Sequence, residues 1–221
     1  MRSRPSSCSS SGAEIAMSLE MWNARFAGAG ERFVFGEAPS VFLTEQAALV
    51  RHGSKVLSVA DGEGRNSVWL AEQGCEVDAV EFAPVAVDKA RGLAARRGVS
   101  VNFTVADLLD WDWPQEHYDM VVAIFIQFAA PAQRRLLFAH IKRTLKPGGL
   151  LLLHGYTPKQ LEYRTGGPSA RENLYTEAML AHDFADFDLL RLAAYERHLD
   201  EGPGHSGTSA LIDLVARKPQ R

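Results

Sequence analysis

The chain of 221 residues is poor in cysteine, in net charge and in long apolar runs. Its two cysteines are Cys8, in a serine-rich tail, and Cys75, beside Gly74 at a predicted helix end. That number and spacing exclude a disulfide framework and a cysteine-built metal site, and they point to a reducing, cytoplasmic setting with Cys75 as a small packed residue. A formal net charge of −3 gives no electrostatic case for nucleic acid or for an anionic membrane surface. No apolar stretch approaches the length of a membrane span. The longest, Met120 to Phe128, is strand-sized and has Gln127 inside it. Internal repeats, a metal-ligand cluster and a tight acid–base constellation are absent as well.

What is present is an ordinary globular composition, 46% apolar and 23% charged, sufficient for one core. The first sixteen residues differ from the rest. Arg2, Arg4, Pro5 and six serines between Ser3 and Ser11 cannot build a core, so residues 1–18 are read as a disordered tail, with Met17 the effective start, rather than as a transit peptide. A single domain is expected over 19–221, its segment 19–52 forming N-terminal lid helices. Trp22, Phe26, Phe33, Phe35 and Phe42 are too many large apolar groups for a solvated tail, and Gly28, Gly30 and Gly36 supply hinges between them.

Beyond Gly53 the periodicity alternates. It predicts a short helix over 19–27 and a second from Pro39 and Ser40 to about His52. Strands follow over 55–60, 76–81, 101–105, 118–125 and 150–154, with helices over 65–73, 84–97 and 132–145 between them. Such alternation means a parallel sheet with helices on both faces. The end differs: 189–199 and 208–217 are β-like with no helix between them, so they pair antiparallel. The fold class is therefore α/β, a doubly wound seven-stranded sheet, mostly parallel, with a C-terminal antiparallel hairpin.

The densest chemical signal is Val56-Leu-Ser-Val-Ala-Asp-Gly-Glu-Gly-Arg-Asn66. An aliphatic strand stops at Gly62 and Gly64 and gives way to helix, and Glu81 ends the next strand seventeen residues after Gly64. This is a nucleotide-cofactor half-site: glycines let the backbone approach the ligand, and the acid accepts from ribose hydroxyls. Alone it fits NAD and S-adenosylmethionine equally. Asp107, after the third strand, adds a carboxylate that could read an adenine edge. Lys146-Pro147-Gly148-Gly149 makes a sharp helix-to-strand turn, and the hairpin replaces a second βαβαβ half.

Together these features resemble a class I S-adenosylmethionine-dependent methyltransferase, with a Rossmann-like methyltransferase fold. The subgroup is that of tellurite-resistance and thiopurine-type enzymes. The resemblance rests on Trp22-Asn-Ala-Arg-Phe26, Phe33-Val-Phe-Gly-Glu-Ala-Pro-Ser-Val-Phe-Leu43, Ala60-Asp-Gly-Glu-Gly-Arg-Asn66, Tyr163-Arg-Thr-Gly-Gly-Pro168, and Leu199-Asp-Glu-Gly202 leading to His205 and Gly207. It implies cofactor contacts from Trp22, Ala60, Asp61, Gly62, Gly64, Asn66, Glu81, Phe82, Asp107, Leu108 and Phe125. It also implies acceptor handling by His154, Tyr163 and Arg164, with His205 in a loop near the substrate. The chain departs from the family where the acid of the first strand is Ser58 and the first loop glycine is Ala60. Asp61 is the candidate substitute, and Asn66 is placed to cap the helix.

The acceptor implied is a small soft nucleophile, a thiol or a tellurite- or selenite-like oxyanion, on a monomer or homodimer without nucleic-acid or membrane partners. Two other classes compete: an NAD-dependent oxidoreductase and a non-catalytic S-adenosylmethionine-binding protein. Lys89, Arg91, Arg96 and Arg97 read as a solvated helix face, and Trp111 and Trp113 as a seal on the core edge.

Overall fold

A computed structural model describes residues 10–220. Residues 1–9 of the expected tail lie outside them. The first helix, α1 (Ser10–Gly28), begins upstream of the predicted start at residue 19, and its side chains are described from Leu19 onward.

The seven strands are β1 (Lys55–Val59), β2 (Glu76–Glu81), β3 (Asn102–Val105), β4 (Tyr118–Ile124), β5 (Leu145–Tyr156), β6 (Asp188–Asp200) and β7 (Ser206–Arg217). They lie in the order β3-β2-β1-β4-β5-β7-β6. The first five are parallel; β7 runs antiparallel between β5 and β6. The expected class is thus the observed one, a seven-stranded mixed sheet of the α/β methyltransferase type. The strand order reverses between β1 and β4, which opens a crevice at their carboxyl ends, the usual ligand position in such sheets.

Side chains of the central strands alternate between two cores because successive Cβ atoms leave opposite faces of a sheet. Leu57, Val59, Val121, Ala123, Leu151 and Leu153 enter one core with Leu137, Phe138 and Ile141 of α5 (Pro131–Thr144). Val56, Met120, Val122, Ile124 and Leu152 enter the other with Leu70 of α3 (Arg65–Glu72) and Phe42 of α2 (Val41–Glu45). Both faces are apolar, so β4 is a nearly continuous apolar run. Truncating a fully buried leucine here, such as Leu57 or Leu151, removes about 2–5 kcal/mol.

Three local expectations are corrected. The helix predicted from Ser40 to His52 is only α2 and a 3₁₀ turn at Ala47–Leu49, because the chain tightens to i→i+3 bonding at Gln46 and is extended at Val50. The Lys146–Gly149 turn lies within β5, where the register against β4 slips between the Tyr118 and Met120 pairs. Lys89, on α4 (Pro84–Arg97), is not solvated: its Nζ lies 2.5 Å from buried Glu63 and donates to the Arg32 carbonyl. Arg91, Arg96 and Arg97 do form exposed pairs, with Asp88, Glu37 and Glu72. Trp113 is buried against the core and stacks on His140, with Trp111 at its edge.

Candidate functional site

The switch-point crevice is flanked by two strained residues. Ala60, just after β1, has φ 49°, and Phe125, just after β4, has φ 56°. Each left-handed non-glycine conformation costs on the order of 1–3 kcal/mol, and such strain gathers at ligand sites. The Phe125 amide donates to the His154 carbonyl, which fixes the turn against β5.

After β1 the chain enters the glycine loop. Gly62 has φ 62°, and a Cβ there would meet only the tip of the Phe26 ring, at 4.0 Å. Gly64, at φ 89°, is the helix N-cap residue, and a Cβ there would lie 2.7 Å from that of Ala90. Gly62 therefore leaves backbone open toward the crevice, whereas Gly64 lets α3 pack on α4. The loop is braced by two carboxylates. Asp61 accepts from the Ser58 hydroxyl at 2.7 Å and the Ser67 hydroxyl at 2.5 Å. Glu81, at the end of β2, accepts from the Gly62 amide at 2.9 Å and, on its other oxygen, from the Ala83 amide at 2.9 Å. Burial raises Asp61 to about 6 against the pull of the two serine hydroxyls. It raises Glu81 to about 7 against the two amides.

Asp107 follows β3. Its Oδ1 accepts from the Leu109 amide at 2.9 Å, an Asx turn, and Oδ2 has no hydrogen bond among the described residues. Leu108 is buried beside it, with its carbonyl held by the Trp113 indole. Asn66 does not cap α3. It is the second residue of that helix, and its carboxamide oxygen accepts from the Ser40 amide at 2.9 Å.

The segment over 26–43 forms a strap across these strand ends. Phe26 is buried, stacks on Trp22 with ring centroids 5.5 Å apart, and packs with half-buried Phe82 and Phe35. Charge pins the strap in place. Arg65 donates to Glu201 at 2.7 Å and to the Phe35 carbonyl at 3.2 Å, while Glu201 accepts from the Val41 amide at 2.9 Å. Glu63 accepts from the Val34 amide at 2.7 Å. The glycine-loop helix, the strap and the β6–β7 turn are thus one hydrogen-bonded unit.

His154, at the end of β5, is buried and stacks on Phe42 at 4.9 Å. Its Nδ1 lies 2.8 Å from Asp213 on β7. Asp213 also accepts from Arg191 and Tyr195. Burial works to raise the Asp213 pKa, but His154, Arg191 and Tyr195 outweigh it and hold it below the usual range.

Ala60, Asp61, Gly62, Glu81, Phe125 and His154 therefore stand near neighbouring strand ends, with Asn66 in the first turn of α3, Trp22 and Phe82 on the strap side and Asp107 and Leu108 beyond β3. Tyr163 and Arg164 are not gathered with them. Tyr163 donates to Glu196 on the outer face of β6, and exposed Arg164 ends α6 (Gln160–Tyr163) in a left-handed conformation.

Several residues of the site escaped the sequence reading. The Arg65–Glu201 and Lys89–Glu63 pairs join distant segments. Asp213 had a signal, a lone acid in the apolar run Leu211 to Val215. His205 did not escape, since the resemblance placed it in a loop near the substrate. What it did not give is its burial between Phe35 and Phe125, with ring centroids at 4.5 and 4.1 Å, and a pKa pushed down to about 2 by burial and then by Arg65, His154 and Arg25. No group of histidine, cysteine or acidic residues among the described residues could hold a metal ion. No helix among them is long and apolar enough to cross a membrane.

Residues 56–149 match the family described as "Methyltransferase domain". The demethylmenaquinone methyltransferase of Thermus thermophilus is 33% identical over 113 residues, 50% of this chain and 51% of that protein. The chain spans about half the length of the curated relatives it matches first. Among solved structures, one described under the conversion of a disulfide bond into a thioacetal group during echinomycin biosynthesis superposes with a TM-score of 0.75 at 18% identity, covering 91% of this chain and 93% of that one. The N-methyltransferase NodS of Bradyrhizobium japonicum, in complex with S-adenosylhomocysteine, gives 0.67 at 16% identity, covering 92% and 98%. By its sheet order and by these superpositions the chain has the α/β methyltransferase fold, and its segment 56–149, which carries the glycine loop, is similar in sequence to methyltransferase domains.

Proposed function

We propose that the protein is an S-adenosylmethionine-dependent methyltransferase acting on a small acceptor with a soft nucleophile. The observation that carries this reading is the arrangement of Gly62, Glu81 and Asp107 at the ends of β1, β2 and β3, within a segment that matches methyltransferase domains. The residues fit an adenosine-bearing cofactor. Gly62 leaves open backbone, and Glu81 has two oxygens able to share further donors with ribose hydroxyls. Asp107 has one carboxylate oxygen unspent. Trp22, Phe26 and Phe82 supply apolar cover, and Ala60, Asn66, Leu108 and Phe125 shape the walls.

When bound, the cofactor supplies an activated methyl group. The protein's part is then to align the nucleophile and exclude water, and orientation of that kind contributes roughly 7–11 kcal/mol. A thiolate or a selenium or tellurium oxyanion needs little general-base help. That agrees with the site: His205 is kept neutral and His154 is committed to Asp213 at Nδ1. In this reading His154 orients the acceptor side of the crevice. Arg164 and Tyr163 reach the acceptor only if the α6 loop closes inward. The strap acts as a lid, and the kinship with tellurite-resistance and thiopurine-type enzymes belongs to this proposal.

Calorimetric titration of the full chain with S-adenosylmethionine, S-adenosylhomocysteine and NADH tests it. Saturable binding of the first two with no NADH binding supports the reading. NADH binding in preference to both overturns it.

A further inference from the structure

The outer face of α5 lies on the side of the sheet away from Phe42 and the strap. Ala132, Leu136, Ala139 and Arg143 recur there at the spacing of one helix stripe, opposite Leu137, Phe138 and Ile141, which enter the core. All four are exposed, and Leu136 is 60% exposed. The two flanks of this stripe differ in charge.

One flank is basic. A groove of about 520 Å³ opens along it, between the end of α5 and the chain after β7. Ala139, Phe187 and Pro219 give the groove an apolar lining, and Lys142, Arg143 and Lys218 supply cations. A smaller cavity of about 120 Å³ continues it toward α7 (Glu177–Asp183), sharing Ala139 and Lys142 and adding Arg135. Two acids line these spaces as well: Asp186, which pairs with Lys142, and Asp183. Arg135 has no side-chain partner among the described residues, and Arg143 meets the His140 ring but no carboxylate.

The other flank is acidic. The loop from β3 to β4 runs along it, where Trp113 stacks on His140 and the Glu116 amide donates to the Arg143 carbonyl. In that loop Asp110 and Asp112 are exposed on either side of half-buried Trp111. Neither carboxylate has a partner among the described residues. An indole between two acids matches an apolar groove rimmed by cations.

Charge decides how such a face can meet a copy of itself. A twofold axis parallel to α5, in front of Leu136, sets each Leu136 against its counterpart and the acidic flank of each copy against the basic flank of the other. A twofold axis across α5 would oppose acid to acid and base to base, which is unfavourable. We propose that a second copy of this chain docks here in a dimer about the first of these axes. The Asp110–Asp112 loop of each protomer seats in the groove of the other, with its carboxylates facing Arg135 and Arg143. Because α5 joins two parallel strands it runs opposite to them, so both crevices open on one side of the dimer and neither strap is covered. The dimer is independent of the methyl-transfer reading.

Sedimentation equilibrium of the full chain over a concentration series tests it. The unaltered protein should be a dimer that dissociates on dilution, and more readily in high salt. The double variants Arg135→Glu/Arg143→Glu and Asp110→Lys/Asp112→Lys should each weaken it about tenfold or more, since the symmetry counts every lost pair twice. Mixed in equal amounts, the two variants should pair with each other, because one carries acid on both flanks and the other carries base on both. Leu136→Glu sets two carboxylates at the axis and should also dissociate the dimer. Circular dichroism checks that each variant is folded, and Leu136→Glu carries the test should a double variant not fold. A monomer at every concentration, a dimer unchanged by the variants, or two folded charge variants that fail to pair when mixed would overturn the proposal.

Discussion

Glu81 and Gly62 are joined by a 2.9 Å hydrogen bond from the glycine amide to the carboxylate, so the acid that ends β2 also holds the turn that follows β1. One side chain therefore sets the position of the loop and, in the proposed reading, offers the oxygens that accept from ribose. Glu81→Gln keeps one acceptor oxygen and Glu81→Ala keeps none. Calorimetry should find S-adenosylmethionine binding weakened by about 1.5–3 kcal/mol in the alanine variant and by less in the glutamine variant, in line with hydrogen bonds to a charged group. Unchanged dissociation constants in folded variants would remove Glu81 from the site.

The raised pKa of Glu81 gives a signed pH effect. Burial lifts Asp61 from 3.8 to about 6 and Glu81 from 4.5 to about 7, so between about pH 4 and pH 7 the folded chain binds more protons than the unfolded one. From these two groups, stability falls as pH rises through that window. Ribose hydroxyls favour the carboxylate, so cofactor binding should release protons from Glu81 at pH 6.5 and tighten as pH rises toward 7. Titrations in buffers of different ionisation enthalpy measure that release. Proton uptake, or none, would contradict it.

Arg65 and Glu201, buried 2.7 Å apart, hold the strap to the glycine-loop helix. Removing one partner strands a buried charge, so Arg65→Ala or Glu201→Ala should each lower stability by about 3–5 kcal/mol in denaturant unfolding. Hydrogen exchange should show the loss concentrated over 33–43. A uniform loss would mean that the pair serves the fold at large. With the pair intact, S-adenosylhomocysteine should add protection over 22–42, as a closing lid requires. Equal, high protection in free and bound protein would make the segment static packing.

The sheet was legible because its signals are local. β-branched runs of strand length, Pro84 at a helix start and glycine after helix ends each report on a few neighbouring residues. The positions of Gly62, Glu81 and Asp107 were legible for the same reason: each is marked by the strand it ends or follows. What escaped depends on contacts distant in sequence. The partner of Arg65 lies 136 residues away, and that of His154 lies 59 residues away. The helix expected to reach His52 stops at Glu45 because the chain tightens to i→i+3 bonding at Gln46 and is extended at Val50. Tyr163 and Arg164 share a glycine-rich segment that no local pattern could aim. The structure turns Tyr163 outward, to Glu196.

That outward position makes Tyr163→Phe a control. It removes one exposed hydrogen bond, so stability should change by less than about 0.5 kcal/mol, and turnover should stay near that of the unaltered protein. His154→Gln, by contrast, leaves Asp213 with Arg191 and Tyr195 alone and should raise the acceptor KM. A loss of roughly 10²–10⁴-fold in kcat at His154, with a matching limb in the pH–rate profile, would show general-base catalysis instead.

The central claim is methyl transfer, and it is tested most directly by incubating the full chain with S-adenosylmethionine labelled in its methyl group and a panel of thiols, thiones, selenite, tellurite, halides and small amines. Label should pass to at least one sulfur, selenium or tellurium acceptor, with S-adenosylhomocysteine formed in equal amount, and Glu81→Ala should reduce that transfer. Tight cofactor binding without label transfer to any acceptor would contradict the account and leave a binding protein in place of an enzyme.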